Sequence, residues 1–269
     1  MTLRHQLNVD NLCSGYGEKT ILEDINLEII PGKITTIIGA NACGKSTLLR
    51  TMSRLISPQQ GQVLLDGKSI HKSPTRELAK TLGLLPQSPI APEGITVGDL
   101  VSRGRHPHHG LISRWSKKDD EIVAQALETT KTTELIDRGI DELSGGQRQR
   151  VWIAMALAQK TDILLLDEPT TFLDVAHQIE ILDLLIDLNK SHGTTIILVL
   201  HDLNLASRYS DQLIAIQQGQ VLAHDSPTNV MTEELVHKVF GLNNQIITDP
   251  VSNTPLVLPI GRHQGGNKT

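Results

Sequence analysis

The spacing of apolar positions changes about a third of the way along the chain. Early on they come in short blocks. Residues 7–13, 21–29 and 33–38 carry Leu, Ile, Val and Cys, and are broken by Gly15, Gly17 and Pro31-Gly32; this pattern predicts strands. Residues 62–65 followed by Asp66-Gly67 read as a strand entering a tight turn. From about Thr96 the spacing becomes helical over 119–130 and 134–138, and Ser144 is placed to cap a helix running through Ala158. Residues 162–166 and 194–200 read as buried strands. Between them, 174–189 forms an amphipathic helix with Val175, Ile179, Leu182, Leu185 and Ile186 on its apolar side.

Strands alternating with helices after Lys33 predict an α/β core with parallel strands. The helical stretch from about Pro89 to Ala156 would be inserted into that core. The expected division is a domain over 1–241, with its core about 1–88 and 157–241 and a helical part about 89–156, then an extension over 242–269. That tail holds apolar pairs and three prolines, and reads only as peripheral.

Composition narrows the class. The chain has 269 residues, of which 39% are hydrophobic and 2% aromatic, so the core must be mainly aliphatic. A net charge of −5 counts against a general nucleic-acid binder. The opening MTLRHQLNVDNL shows neither a long apolar core nor a small-residue cleavage site, and no apolar run approaches the roughly 18 residues that span a bilayer. The two cysteines, Cys13 and Cys43, make no disulfide framework and suit a reducing compartment. The expectation is a cytosolic chain whose membrane contact goes through a partner.

The stretch ITTIIGANACGKSTLLR fits strand, glycine-bearing loop, helix, and residues 39–46 match G-x-x-x-x-G-K-S. Backbone N–H groups of such a loop and helix start cradle phosphate oxygens. Lys45 brings a cation to the β- and γ-phosphates, and the Ser46 hydroxyl is a hard ligand for Mg²⁺. In DILLLDEP an aliphatic strand ends in Asp167 and Glu168. Asp167 suits a water-mediated Mg²⁺ ligand, and Glu168 a residue that orients or deprotonates an attacking water. Alone, the pair reads equally as a solvated acidic strand end. A third segment, LSGGQRQR over 143–150, sets two glycines behind a serine, a helix start suited to facing an anion.

GANACGKST, LSGGQRQR, DILLLDEP and VLHD, in that order, resemble the ATP-binding cassette family over nearly the whole chain to about Gly241. The resemblance implies a P-loop NTPase core with an antiparallel β subdomain and an inserted α-helical subdomain. It implies ATP and Mg²⁺ as ligands, and two cassettes paired head to tail, each signature segment closing over the other's ATP. Ser144, Gly145, Gly146 and Gln147 would then face the second copy's γ-phosphate, which explains their distance in sequence from the phosphate loop. By the same resemblance Gly39, Ala40, Asn41, Ala42, Cys43, Gly44, Lys45, Ser46 and Thr47 bind the phosphates, and Tyr16 stacks on adenine. Gln87 meets Mg²⁺ and the attacking water, Asp174 lies in the loop bridging the cassettes, and His201 holds the γ-phosphate and the water. Tyr16 reads otherwise as a turn tyrosine, and His201 as a structural histidine.

Two positions depart from the family's usual G-P-N-G-x-G-K-S/T loop. Ala40 stands for proline and Ala42 for glycine. If residue 42 needs positive φ, alanine there costs on the order of 1 kcal/mol, and nucleotide binding is expected to survive it. Cys43 is open to two readings, a thiol whose alkylation blocks ATP or a buried inert one.

ITVGDLVSRGRHPHHGLISRW, VWIAMALAQKTDILLLDEPTTFLDVAHQIEILDLL, HDLNLASRYSDQLIAI and TDPVSNTPLVLPIGR are similar to the ATPases of ferric-siderophore importers, particularly those for catecholate siderophores of the enterobactin type. The resemblance implies an ATPase on the cytoplasmic face of a bacterial inner membrane, peripheral, under integral-membrane permease subunits, indirectly served by a substrate-binding protein, and with no nucleic acid. Cobalamin and haem importers use similar cassettes. A soluble cassette ATPase on ribosome or DNA is the rival class, but such chains usually carry two cassettes or long coiled coils. A small-molecule kinase would leave LSGGQ unexplained. His106, His108 and His109 in RHPHHG could bind a transition metal, but a permease-facing loop is the plainer reading.

Overall fold

A computed structural model describes residues 5–110 and 115–263. Part of the opening segment, residues 1–4, part of ITVGDLVSRGRHPHHGLISRW, residues 111–114, and the end of the expected extension, residues 264–269, lie outside the described residues.

In chain order, β1 (Leu7–Tyr16) and β2 (Lys19–Glu28) form a hairpin, and β3 (Ile34–Gly39) runs into α1 (Lys45–Met52). Then come β4 (Gln60–Leu65), the short β5 (Lys68–Ser69), α2 (Thr75–Thr81), β6 (Leu82–Leu85) and α3 (Val97–Ser102). α4 (Lys117–Thr129) and α5 (Gly145–Gln159) precede β7 (Ile163–Leu166), α6 (Val175–His192) and β8 (Thr195–Val199). The chain continues through α7 (Leu203–Tyr209), β9 (Gln212–Gln217), β10 (Gln220–Asp225), α8 (Pro227–Val230) and α9 (Glu233–Phe240), and closes with β11 (Asn244–Thr248) and β12 (Pro255–Pro259).

The main sheet has the order β10-β9-β3-β8-β7-β6; all its pairings are parallel except β10 on β9. A second sheet, β2-β1-β4-β5, is antiparallel, its β4–β5 turn falling at Asp66-Gly67. This is the α/β architecture expected from the sequence, antiparallel sheet and helical elements included.

The strands of the main sheet bury both faces, so they read as continuous aliphatic runs. In β7 the period-2 alternation divides them. Leu164 and Leu166 join one core with α3, α4, α5 and α6, while Ile163 and Leu165 join another with α1 and the antiparallel sheet. Each side chain is fully buried, a gain of roughly 1.5–3 kcal/mol per Leu or Ile.

Two local expectations fail. Residues 134–138 form no α-helix; a single 3₁₀ turn spans Thr133–Leu135. The following backbone is used elsewhere. Ile136 and Arg138 carbonyls accept from Gly98 N–H and Val97 N–H at 2.8 and 2.9 Å, and Thr96 bridges Gly139. Val175 does not belong to the buried stripe of α6. It is 72% exposed at the first helical position, and the buried positions are Ile181, Leu182 and Leu185.

The tail is a hairpin docked on α7. Asn204 makes two bonds to the Val257 backbone at 2.7 and 3.2 Å, and Arg208 donates to Asp249 at 2.6 Å.

Candidate functional site

The sheet order brings distant segments to one edge. The phosphate loop follows β3, Gln87 follows β6, Asp167 and Glu168 follow β7, and His201 follows β8. β3, β8, β7 and β6 are neighbours running the same way. Their carboxyl ends therefore share one crevice, where open α/β sheets bind ligands.

The loop is shaped by close approach. A Cβ on Gly39 would sit 2.3 Å from Ile216 O and 2.6 Å from Cys43 Sγ, and one on Gly44 2.7 Å from Leu22 Cδ2. Ala42 has φ +62°, the left-handed region that glycine usually fills. Lys45 is buried and folds its ammonium back onto the Gly39 and Ala40 carbonyls, both at 2.9 Å. At the head of α1, directly after the loop, the first N–H groups have no acceptor within the helix. A cationic ammonium above first-turn donors is a site for an oligophosphate. Asn41 is exposed at the loop's tip, and Thr47 is buried in the first turn of α1. Burial pushes the Cys43 thiol up, with the Lys45 charge opposing, which suits an unreactive cysteine.

Ser46 Oγ donates to Asp167 Oδ1 at 2.9 Å. The other oxygen, Oδ2, is buried without a hydrogen bond and faces Arg50 Nε at 3.9 Å. Burial raises the Asp167 pKa, and the Ser46 hydrogen bond opposes that rise. A hard oxygen set with one unsatisfied buried carboxylate oxygen fits Mg²⁺. Gln87, the third expected ligand, lies beside them and donates Nε2 to Glu168 Oε2 at 2.5 Å.

Glu168 is the most constrained carboxylate of the site. Its φ is +53°, outside the ordinary range for a side-chain-bearing residue. Thr171 Oγ1 donates to Oε2 at 3.0 Å, and His201 Nε2 lies 2.6 Å from Oε1. Glu168, Gln87 and His201 thus form one cluster. Thr171 was not legible in the sequence as part of it; a threonine three residues after a carboxylate carries no pattern of its own. Tyr16 ends β1 half exposed, and its hydroxyl accepts from Arg50 Nη1 at 3.2 Å, which ties it to the helix that follows the loop.

The signature segment heads α5. Ser144 is its N-cap; its Oγ accepts from Gln147 N–H at 3.3 Å, while Gln147 Oε1 accepts from Ser144 N–H at 3.1 Å. Gly145 is open to solvent, and Gly146 is buried against His177. Asp174 caps α6 through His177 N–H. Among the described residues, no hydrogen bond joins these groups to the phosphate loop of the same chain. In RHPHHG, His108 Nε2 lies 2.7 Å from the Gln159 carbonyl and His109 stacks on Trp115 with centroids 5.4 Å apart, while His106 lines a cleft with Arg103 and Trp115.

Residues 22–171 match the ABC transporter family, and the chain belongs to it as an ATP-binding cassette, an ATPase by class. It is 51% identical to the ferric enterobactin transport ATP-binding protein FepC of Escherichia coli (strain K12), over 96% of this chain and 95% of that one. It is 52% identical to the iron(3+)-hydroxamate import ATP-binding protein FhuC of Bacillus subtilis (strain 168), over 94% of each. Among solved structures it is similar to a metal-chelate type ABC transporter in an inward-facing conformation, with TM-score 0.83, 29% identity, and coverage of 96% of this chain and 99% of that one. A dimeric bacterial ABC transporter cassette gives TM-score 0.73 at 29% identity, covering 82% of this chain and 98% of that one.

Proposed function

We propose that this cassette hydrolyses ATP to drive import of ferric-siderophore complexes across a bacterial inner membrane, working as a pair beneath integral-membrane permease subunits. The observation that carries the cargo is the set of relatives above 50% identity over nearly the full chain, whose names are those of siderophore or iron(3+)-hydroxamate import ATP-binding proteins. No helix among the described residues is long and apolar enough to cross a membrane, so the path for cargo lies in other subunits. A substrate-binding protein would deliver the complex to them.

In this reading adenine stacks on Tyr16 and the phosphates enter the loop over 39–47. Lys45 exchanges the Gly39 and Ala40 carbonyls for phosphate oxygens. Ser46, Asp167 and Gln87 would hold Mg²⁺, which when bound neutralises phosphate charge. Glu168 accepts the proton of the attacking water, with His201 and Gln87 fixing its direction, and an in-line displacement follows. Ser144, Gly145, Gly146 and Gln147 of one copy face the phosphates held by the other. Those contacts exist only while the γ-phosphate does, so ATP favours the closed pair and hydrolysis releases it. Phe172 and Val175, 94% and 72% exposed beside Asp174, support a second copy covering this loop.

The experiment is uptake of iron-55 on a catecholate siderophore by cells lacking the chain and cells given it back, with labelled cobalamin as control. Restoration of iron uptake by the intact chain supports the reading. Restoration of cobalamin uptake alone would keep the motor and replace the cargo.

A further inference from the structure

The signature segment and the Asp174 loop belong to different parts of the fold, yet they touch within one chain through His177. Asp174 Oδ1 accepts from His177 twice, from the backbone N–H at 2.9 Å and from Nδ1–H at 2.8 Å. The opposite side of the ring lies against Gly146. A Cβ at that glycine would be 2.7 Å from His177 Cδ2 and 3.1 Å from Nε2. No side chain larger than hydrogen fits there without moving the ring, so Gly146 serves a contact inside its own chain as well as an approach to phosphate. Further along α5, Arg150 Nη1 lies 3.7 Å from Glu180 Oε2 of α6, a second tie between the two helices.

We infer that His177 is a positioning residue that locks the Asp174 loop to the signature glycine Gly146, so that the two segments facing the second copy's ATP move together. This rests on the reading that both segments face the second copy. If they moved separately, closing the pair would require ordering two surfaces independently; a preformed link lowers that ordering cost. His177 touches neither nucleotide nor water and acts only through Asp174 and Gly146.

The test uses the full chain. Glu168→Gln is measured for ATP-dependent dimer formation by light scattering over a range of protein concentration, alone and combined with His177→Ala or His177→Gln. The same His177 variants with Glu168 intact give kcat and KM. Titration with a fluorescent ATP analogue reports each chain's own phosphate site. We expect His177→Ala to weaken the dimer at least tenfold and lower kcat at least tenfold, with analogue affinity within twofold. His177→Gln keeps a donor of similar reach to Asp174 and recovers at least a third of kcat. An unchanged dimer and kcat in His177→Ala would overturn the inference and leave the paired reading intact. Loss of analogue affinity in His177→Ala would also overturn it, since the defect would then lie within the chain's own fold. Absence of any ATP-dependent dimer in Glu168→Gln itself would remove the paired reading and the inference with it.

Discussion

Ala42→Gly isolates one backbone angle of the phosphate loop. Residue 42 sits at φ +62°, where an L-residue pays about 1–2 kcal/mol that glycine avoids. Glycine has its own cost, because its unfolded chain is more flexible, by about 0.5–1 kcal/mol relative to alanine. The difference leaves Ala42→Gly more stable by about 0.5–1 kcal/mol, and never by more than about 1.5 kcal/mol, in urea denaturation of the nucleotide-free chain. Binding should respond less than folding. The contacts that shape the loop around residue 42 come from the chain itself, Cys43 N–H on the Ala40 carbonyl at 3.4 Å and Gly219 N–H on the Cys43 carbonyl at 3.1 Å, so the strain belongs to the fold and should largely cancel between the free and bound chain. The dissociation constant for a fluorescent ATP analogue should therefore change by less than tenfold, a margin of about 1.4 kcal/mol. Tightening beyond tenfold would refute the reasoning, because it would mean that binding, not folding, forces residue 42 into the left-handed region.

Other perturbations follow from buried polar groups. Arg105 donates to Asp119 at 2.9 Å with both side chains buried; Arg105→Ala removes the ion pair and leaves the buried carboxylate only its Ser116 hydrogen bonds and the neighbouring His109, and should cost about 3 kcal/mol in urea denaturation. Burial alone would raise the Asp119 pKa, but hydrogen bonds from Ser116 and Arg105 override it and hold the carboxyl far below the usual range. A depressed folded-state pKa stabilises above the unfolded value near 3.8 and is lost as pH falls through the folded value, so the cost of Asp119→Asn should be constant above about pH 5 and shrink below about pH 4. The Cys43 thiol, pushed up by burial, should react with N-ethylmaleimide at pH 7 at least tenfold more slowly than in the urea-unfolded chain, as mass spectrometry of the alkylated peptide would report.

Much of this site was legible because its segments carry sharp local chemistry. Gly39, Gly44 and Lys45 mark a strand-loop-helix turn, and Ser144 followed by two glycines marks a capped helix start. What escaped was tertiary. β6, with the sequence LGLL, has no β-branched residue to mark it as a strand, yet it is the strand that sets Gln87 beside Glu168. The run over 134–138 has helical spacing, but its carbonyls are taken by Val97 and Gly98, which no local pattern announces. Val175 has the right spacing for α6 and still faces outward, because the helix meets the core only a turn and a half later. Thr171 and His177 act through neighbours, so neither shows a signature of its own.

The most direct test of the motor is the response of Glu168→Gln to ATP. The account predicts that this variant binds ATP, hydrolyses it at least a hundredfold more slowly than the intact chain, and accumulates as a dimer that ADP does not support. Rapid hydrolysis by Glu168→Gln, or a chain that stays monomeric with saturating ATP at every concentration tried, would contradict it.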